Sequence, residues 1–142
     1  MNDNLHALYD ELIRKHNDQP HRFIIPSFPS EPVQAYNPVC GDKFTIYISK
    51  EKNPLQKLTF QGIGCAISKA STSIMLHLIE GKSISEARAI GKVFIRYLQG
   101  EAVAVPDELH AFSGITKFPE RFDCAALPWL ALDAFYEAHT PK

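Results

Sequence analysis

Apolar and polar positions alternate along residues 43–50. Phe44, Ile46 and Ile48 fall on one face, and Lys43, Thr45, Tyr47 and Ser49 on the other. A period of two marks a half-buried β-strand. Glu51-Lys52-Asn53-Pro54 has turn chemistry. Residues 55–62 then read as the return strand of an antiparallel hairpin, with Leu58 and Phe60 inward. Elsewhere the period is helical. Leu5, Leu8, Leu12 and Ile13 share one face of a helix over residues 4–16, with Asp3 or Asn4 as its cap and Asn17 and Pro20 ending it. A helix over 68–80 offers Ile67, Ala70, Ile74, Met75, Leu78 and Ile79 to a core and stops at Gly81. Ser83-Ile84-Ser85-Glu86 is a capping box that starts a helix running to Leu98 or Gln99, weakened in its middle by Gly91. The last helix is expected from Cys124, capped by Asp123, to about residue 138. Pro128, which has no N–H, keeps its start close to Cys124.

The connections are less regular. Residues 21–32 carry Pro26, Pro29 and Pro32 and read as an extended surface connection, followed by a short edge strand at 33–36. Residues 100–117 read as an inserted connecting segment, with a helical turn opening at 106–109 and breaking at Ser113-Gly114. The order is helix, small antiparallel sheet of about three strands, then helices. That predicts an α+β fold with helices packed on one side of the sheet, as a single domain over 1–142.

Composition narrows the function. A net charge of −1 leaves no cationic excess for a general nucleic-acid or anionic-membrane surface. No stretch approaches the roughly 18 apolar residues of a membrane span. The N-terminus lacks a basic-then-apolar leader. A cytoplasmic protein is therefore expected. Three cysteines, an odd number, point to free thiolates or metal ligands over a structural disulfide.

Each cysteine sits at a turn. Cys40 lies in Asn37-Pro38-Val39-Cys40-Gly41-Asp42, and Cys65 in Gln61-Gly62-Ile63-Gly64-Cys65-Ala66-Ile67-Ser68. Cys124 lies in Arg121-Phe122-Asp123-Cys124-Ala125-Ala126-Leu127-Pro128-Trp129. A cysteine at a helix start meets unpaired N–H groups and the positive end of the helix dipole, which favour its thiolate. The hairpin carries Asp42 and Cys65 to the same end. Three Cys and one Asp meet the count for tetrahedral zinc, and a thiolate-rich set also suits an iron–sulfur cluster. The spacing alone is a weak signal, because gaps of 25 and 59 residues contain no Cys-x-x-Cys pair and free cysteines also serve as small buried hydrophobes. The six histidines form no zinc-protease pair, and Gly62-Ile63-Gly64 completes neither a dinucleotide fingerprint nor a phosphate loop.

In these segments the chain resembles the IscU/NifU-like iron–sulfur scaffold family, most closely its SufU branch. Tyr36-Asn37-Pro38-Val39-Cys40-Gly41-Asp42 resembles the first motif. Gly62-Ile63-Gly64-Cys65-Ala66-Ile67-Ser68 with Ala70-Ser71 resembles the second. Arg121 with Cys124-Ala125-Ala126-Leu127-Pro128-Trp129 resembles the third. The similarity runs from about residue 8 to 135. Asp123 stands where the IscU branch has a His, and residues 100–117 resemble the SufU insertion. The resemblance implies Zn²⁺ held by Cys40, Asp42, Cys65 and Cys124, with Cys40 accepting persulfide sulfur. The donor would be a SufS-type cysteine desulfurase. The sulfur would pass to a SufB-containing assembly complex and on to apo iron–sulfur proteins.

The same ligands would serve a [2Fe–2S] scaffold, and sequence does not divide the two. A thiol or zinc enzyme of its own would need a base near the site, such as His110, and a purely structural zinc module is the remaining alternative. Two departures from the SufU pattern stand out: Asp123 replaces a usual Lys and offers a competing carboxylate, and Pro128 is unusual inside the third motif.

Overall fold

The computed structural model describes residues 11–139. Helix α1 (Glu11–Asp18) precedes a three-stranded antiparallel sheet in the order β1 (Ser30–Asn37), β2 (Asp42–Ser49), β3 (Leu58–Ile63). Helices α2 (Ala66–Ile79), α3 (Ile84–Leu98) and α4 (Phe122–His139) follow, with 3₁₀ turns over Asp107–Lys117 and Pro119–Arg121 between the last two. The expected Asp3 or Asn4 cap, and Leu5 and Leu8, lie outside the described residues.

The alternating pattern sets the sheet. Phe44, Ile46 and Ile48 are fully buried, as are Phe60 and, all but, Leu58. Ile46 pairs across from Phe60, and Ile48 from Leu58. Onto this apolar face pack Ile67, Ala70 and Ile74 of α2 and Ala125, Leu132 and Phe135 of α4, within one core cluster that also takes in Ile13 of α1. The opposite face ends in the row Tyr36–Lys43–Ile63, all exposed. The result is the expected α+β architecture.

Four details differ from expectation. The edge strand is longer than 33–36 and includes Pro32, opposite Tyr47; an outer strand tolerates a residue with no N–H to donate. The return strand starts at Leu58, because Pro54–Gln56 makes a 3₁₀ turn first. Ser113-Gly114 does not break the segment it lies in: 3₁₀ turns run through it, and a repeat of three buries Leu109, Phe112 and Ile115 on one side. The last helix starts at Phe122, so Asp123 is inside it and is not its cap.

Gly91 leaves α3 unbroken, and it lies against Trp129 of α4. The capping box at Ser83 and Glu86 forms as read, with both reciprocal bonds at 3.1 Å. Arg88 bridges α3 to Asp133 and Glu137 of α4.

His16 is the titratable link between α1 and α2. Its Nδ1 lies 2.6 Å from the Ser73 hydroxyl. Burial lowers its pKa from 6.5, helped by His77, Lys15 and His21, while Glu108 acts the other way. The charged form is thus disfavoured in the folded chain. Its contribution is whole above pH 6.5 and declines as pH falls below it toward the lowered folded value. The urea midpoint is expected to drop between about pH 7.5 and about pH 5.5, and to drop less in His16→Gln. Equal drops in the two proteins would remove His16 from the account.

Candidate metal centre

Local backbone chemistry builds the site at one end of the sheet. The four-residue connection from β1 to β2 folds on Asn37: its side-chain oxygen accepts the Val39 N–H at 3.1 Å, and its carbonyl accepts the Gly41 N–H at 2.8 Å. Gly41 takes φ 76°, a left-handed value that suits glycine. This turn leaves Cys40 exposed at its tip and lets Asp42 point inward, 1% exposed.

The second approach is the end of β3. Gly62 has φ 140°, and a Cβ there would stand 2.2 Å from the Lys43 carbonyl oxygen and 2.7 Å from the Phe44 Cα. Only glycine lets β3 lie so close to β2 while the chain turns into α2. Cys65 is the N-cap of α2, with its Sγ accepting from the Ser68 N–H at 3.4 Å. Its own N–H donates to Asp42 Oδ1 at 2.8 Å, which ties the helix start to the hairpin.

The third approach is the first turn of α4, where Cys124 is fully buried. Its Sγ lies 3.9 Å from Cys40 Sγ. Donor atoms of Cys40, Asp42 and Cys124 all lie within 4.8 Å of one another, the one such group among the described residues. Cys65 Sγ stands beside that group, 4.0 Å from Asp42 Oδ2. Three of the four residues read from sequence thus share one set of donor atoms, and the fourth adjoins it through Asp42. Asp123 is exposed and is not part of that group of donor atoms. His110 is not part of it either; its Nδ1 lies 3.3 Å from the Tyr97 hydroxyl.

Cys65 and Cys124 are shifted in opposite directions. The hydrogen bond from Cys124 is the main influence drawing the Cys65 pKa down to about 6, with Ser68 also contributing, against burial and the nearby Asp42. The same bond to Cys65 is the largest cause pushing the Cys124 thiol well up, followed by burial. The N-termini of α2 and α4 bring positive dipole ends toward this anionic set.

The donor set fits a thiophilic divalent ion. Two thiolates on one tetrahedral zinc at about 2.3 Å stand about 3.8 Å apart, close to the observed 3.9 Å between Cys40 and Cys124. The carboxylate comes pre-oriented, with one oxygen held by the Cys65 N–H and the other turned toward the Cys65 sulfur.

The NifU-like N terminal domain family matches residues 8–127. The chain belongs to this family. It is similar to the zinc-dependent sulfurtransferase SufU of Bacillus subtilis, at 35% identity over 136 residues, 93% of this chain and 91% of that protein. It is also similar to the iron–sulfur cluster assembly scaffold protein IscU of Streptococcus pyogenes serotype M1, at 34% identity, with 90% of this chain and 82% of that protein covered. Among solved structures, the SUF-system scaffold protein SufU of Fervidobacterium islandicum AW-1 superposes with a TM-score of 0.79 at 29% identity. That match covers 91% of this chain and 96% of that one. Fold and family thus agree with the resemblance read from the three cysteine segments.

The contacts of two residues, quoted in the second motif but given no role there, escaped the sequence reading. Ser68 touches Cys65 through both its N–H and its hydroxyl, and Ser71 reaches α4 from inside the core. The available signal was polarity in the wrong place. Ser68, Ser71, Thr72 and Ser73 occupy a helix whose neighbours are apolar, and all four are buried. Buried hydroxyls need partners.

Gly62→Ala is expected to destabilise the fold by about 2–4 kcal/mol, since the new Cβ meets backbone that has nowhere to go. Urea unfolding checks this. A loss below about 0.5 kcal/mol, the level of an ordinary surface change, would show that the β2–β3 approach is not tight.

Proposed function

We propose that the chain is a zinc-dependent sulfur acceptor in iron–sulfur cluster assembly. The observation that carries this reading is the contrast within one cluster. Cys40 is exposed on a turn, while Cys124 and Asp42 are buried behind it and Cys65 is half-buried. Such a set can hold an ion from below and still offer one sulfur to a partner.

In this reading Cys40, Asp42, Cys65 and Cys124 are the ligands, as in the family resemblance, and the zinc keeps thiolates ionised and electron-rich at neutral pH. Cys65 and Cys124 would hold fast because one is the N-cap of α2 and the other lies in the first turn of α4. Asp42 is the exchangeable oxygen donor, kept in place by the Cys65 N–H. Cys40 is the acceptor. Its thiolate attacks the outer sulfur of a cysteine persulfide on the donor. The donor S–S bond breaks, the donor cysteine leaves as a thiolate, and Cys40 retains the transferred sulfur as its own persulfide.

The donor is a SufS-type cysteine desulfurase. The onward recipients are a SufB-containing complex and apo iron–sulfur proteins. The protein acts in the cytoplasm, with residues 1–142 as a single domain, and its sulfurtransferase role depends on the desulfurase. The surroundings of Cys40 support contact with a protein partner: Tyr36, Val39 and Ile63 are 58%, 92% and 75% exposed, and Lys43 lies between Tyr36 and Ile63. The name of the Bacillus relative supports zinc and sulfur transfer. The name of the streptococcal relative favours a second reading, a scaffold that builds a [2Fe–2S] cluster on the same residues and passes it on.

Metal and inorganic sulfide analysis of protein purified without added iron separates the readings. About one zinc per chain with no sulfide is expected. Cys40→Ser should lose acceptance of labelled sulfur from a cysteine desulfurase, and Asp42→Ala should bind zinc at least about tenfold more weakly. Equal iron and sulfide would replace the carrier with the scaffold. A folded protein that refuses added Zn²⁺ would end both.

A further inference from the structure

Ser71 lies in the second turn of α2 and is fully buried. Its hydroxyl does two things at once. It donates to the Ala125 carbonyl at 2.6 Å and accepts the indole N–H of Trp129 at 3.1 Å. Ala125 directly follows Cys124. The serine of one cysteine-bearing helix therefore holds the turn of the other.

The turn around Cys124 needs outside support. Pro128 lies inside α4. It has no N–H, so the carbonyl four residues earlier, that of Cys124, receives no helical hydrogen bond from it. The neighbouring carbonyl, on Ala125, is the one Ser71 takes. Trp129 adds a second point on the far side of the proline, and its ring is packed against Phe94 at 5.2 Å. The clamp thus spans the helix defect and refers both sides of it to α2, whose N-cap is Cys65.

We infer that Ser71 is a positioning residue that sets the spacing of Cys65 and Cys124 through the Ser71–Ala125–Trp129 hydrogen bonds. Its consequence for metal rests on the zinc reading above; its consequence for the thiols does not. Thiolates that share an ion must be placed to within about half an ångström, and helices joined only by apolar packing slide more easily than helices joined by a buried hydrogen bond.

Two measurements test this. The first is Zn²⁺ affinity by chelator competition, with the absorption of the Co²⁺-loaded protein as the signature of ligand geometry. Ser71→Ala is expected to lower affinity about tenfold, the scale of losing an outer support of a ligand, and to change the cobalt bands. Trp129→Phe removes only the second of the two bonds and should lower affinity less than Ser71→Ala does, by under about threefold. Ile13→Val, a core change in α1 that removes neither hydrogen bond of the clamp, should leave both readouts unmoved even though it lowers stability. The second measurement needs no metal. In metal-free protein with Cys40→Ser, diamide oxidises Cys65 and Cys124 to a disulfide, with diamide as the two-electron acceptor. Ser71→Ala should slow that step at least about threefold by loosening the pair.

Wild-type protein that binds no metal would defeat the zinc reading, and the diamide rate would then decide the clamp alone. Unchanged affinity, cobalt spectrum and disulfide rate in Ser71→Ala would overturn the inference. So would an equal effect of Ile13→Val, since that would make the loss a general effect of instability.

Discussion

The structure turns on a carboxylate that has been taken out of water. Asp42 is buried among sulfur atoms, and a buried ionisable group must have a partner. Its nearest donor is the backbone N–H of Cys65, which is also one of the free N–H groups at the start of α2. A single hydrogen bond satisfies both needs. It joins the β1–β2 turn to the helix, fixes where the helix begins, and thereby places a second sulfur next to the first.

The other elements hold that junction in place. The β2–β3 pairing can run up to it only because Gly62 has no side chain. The apolar face of the sheet gives α2 and α4 a common floor, so their N-termini arrive at the same end. Within that layer α4 carries Pro128 in its interior, and the hydroxyl of Ser71 ties the turn before that proline to the neighbouring helix. The candidate site is therefore not an addition to the fold. Its donors are the ends of the elements that make the core.

Most of this was legible in the sequence wherever the cause was local. Alternation in β2, the Ser83–Glu86 box and the Gly-Ile-Gly-Cys entry into α2 each depend on residues a few positions apart, and each forms as read. The meeting of Asp42 with Cys65 followed from a hairpin. The errors share a different cause. Pro32 joins a strand because that strand is outermost, and edge position is a tertiary fact. Ser113-Gly114 continues the 3₁₀ turns because Phe112 and Ile115 beside it find a core to enter. Cys124 lies within the helix instead of at its start because the Pro119–Arg121 turn already has the chain coiling. The Ser71 clamp needs two helices at once, and no window along the chain contains both.

The cysteines stand far apart in the chain, with 84 positions separating the outer two. An ion shared among them would therefore act as a cross-link closing two long loops. Closing loops of that size removes much of the unfolded chain's freedom, and binding energy at the site becomes folding energy. Retention of the ion and persistence of the native state are then a single equilibrium. A partner that drew Cys40 away from such an ion would open the outer loop while leaving a Cys65–Cys124 closure intact, so the molecule would release its most accessible sulfur without giving up the tie that spans its core.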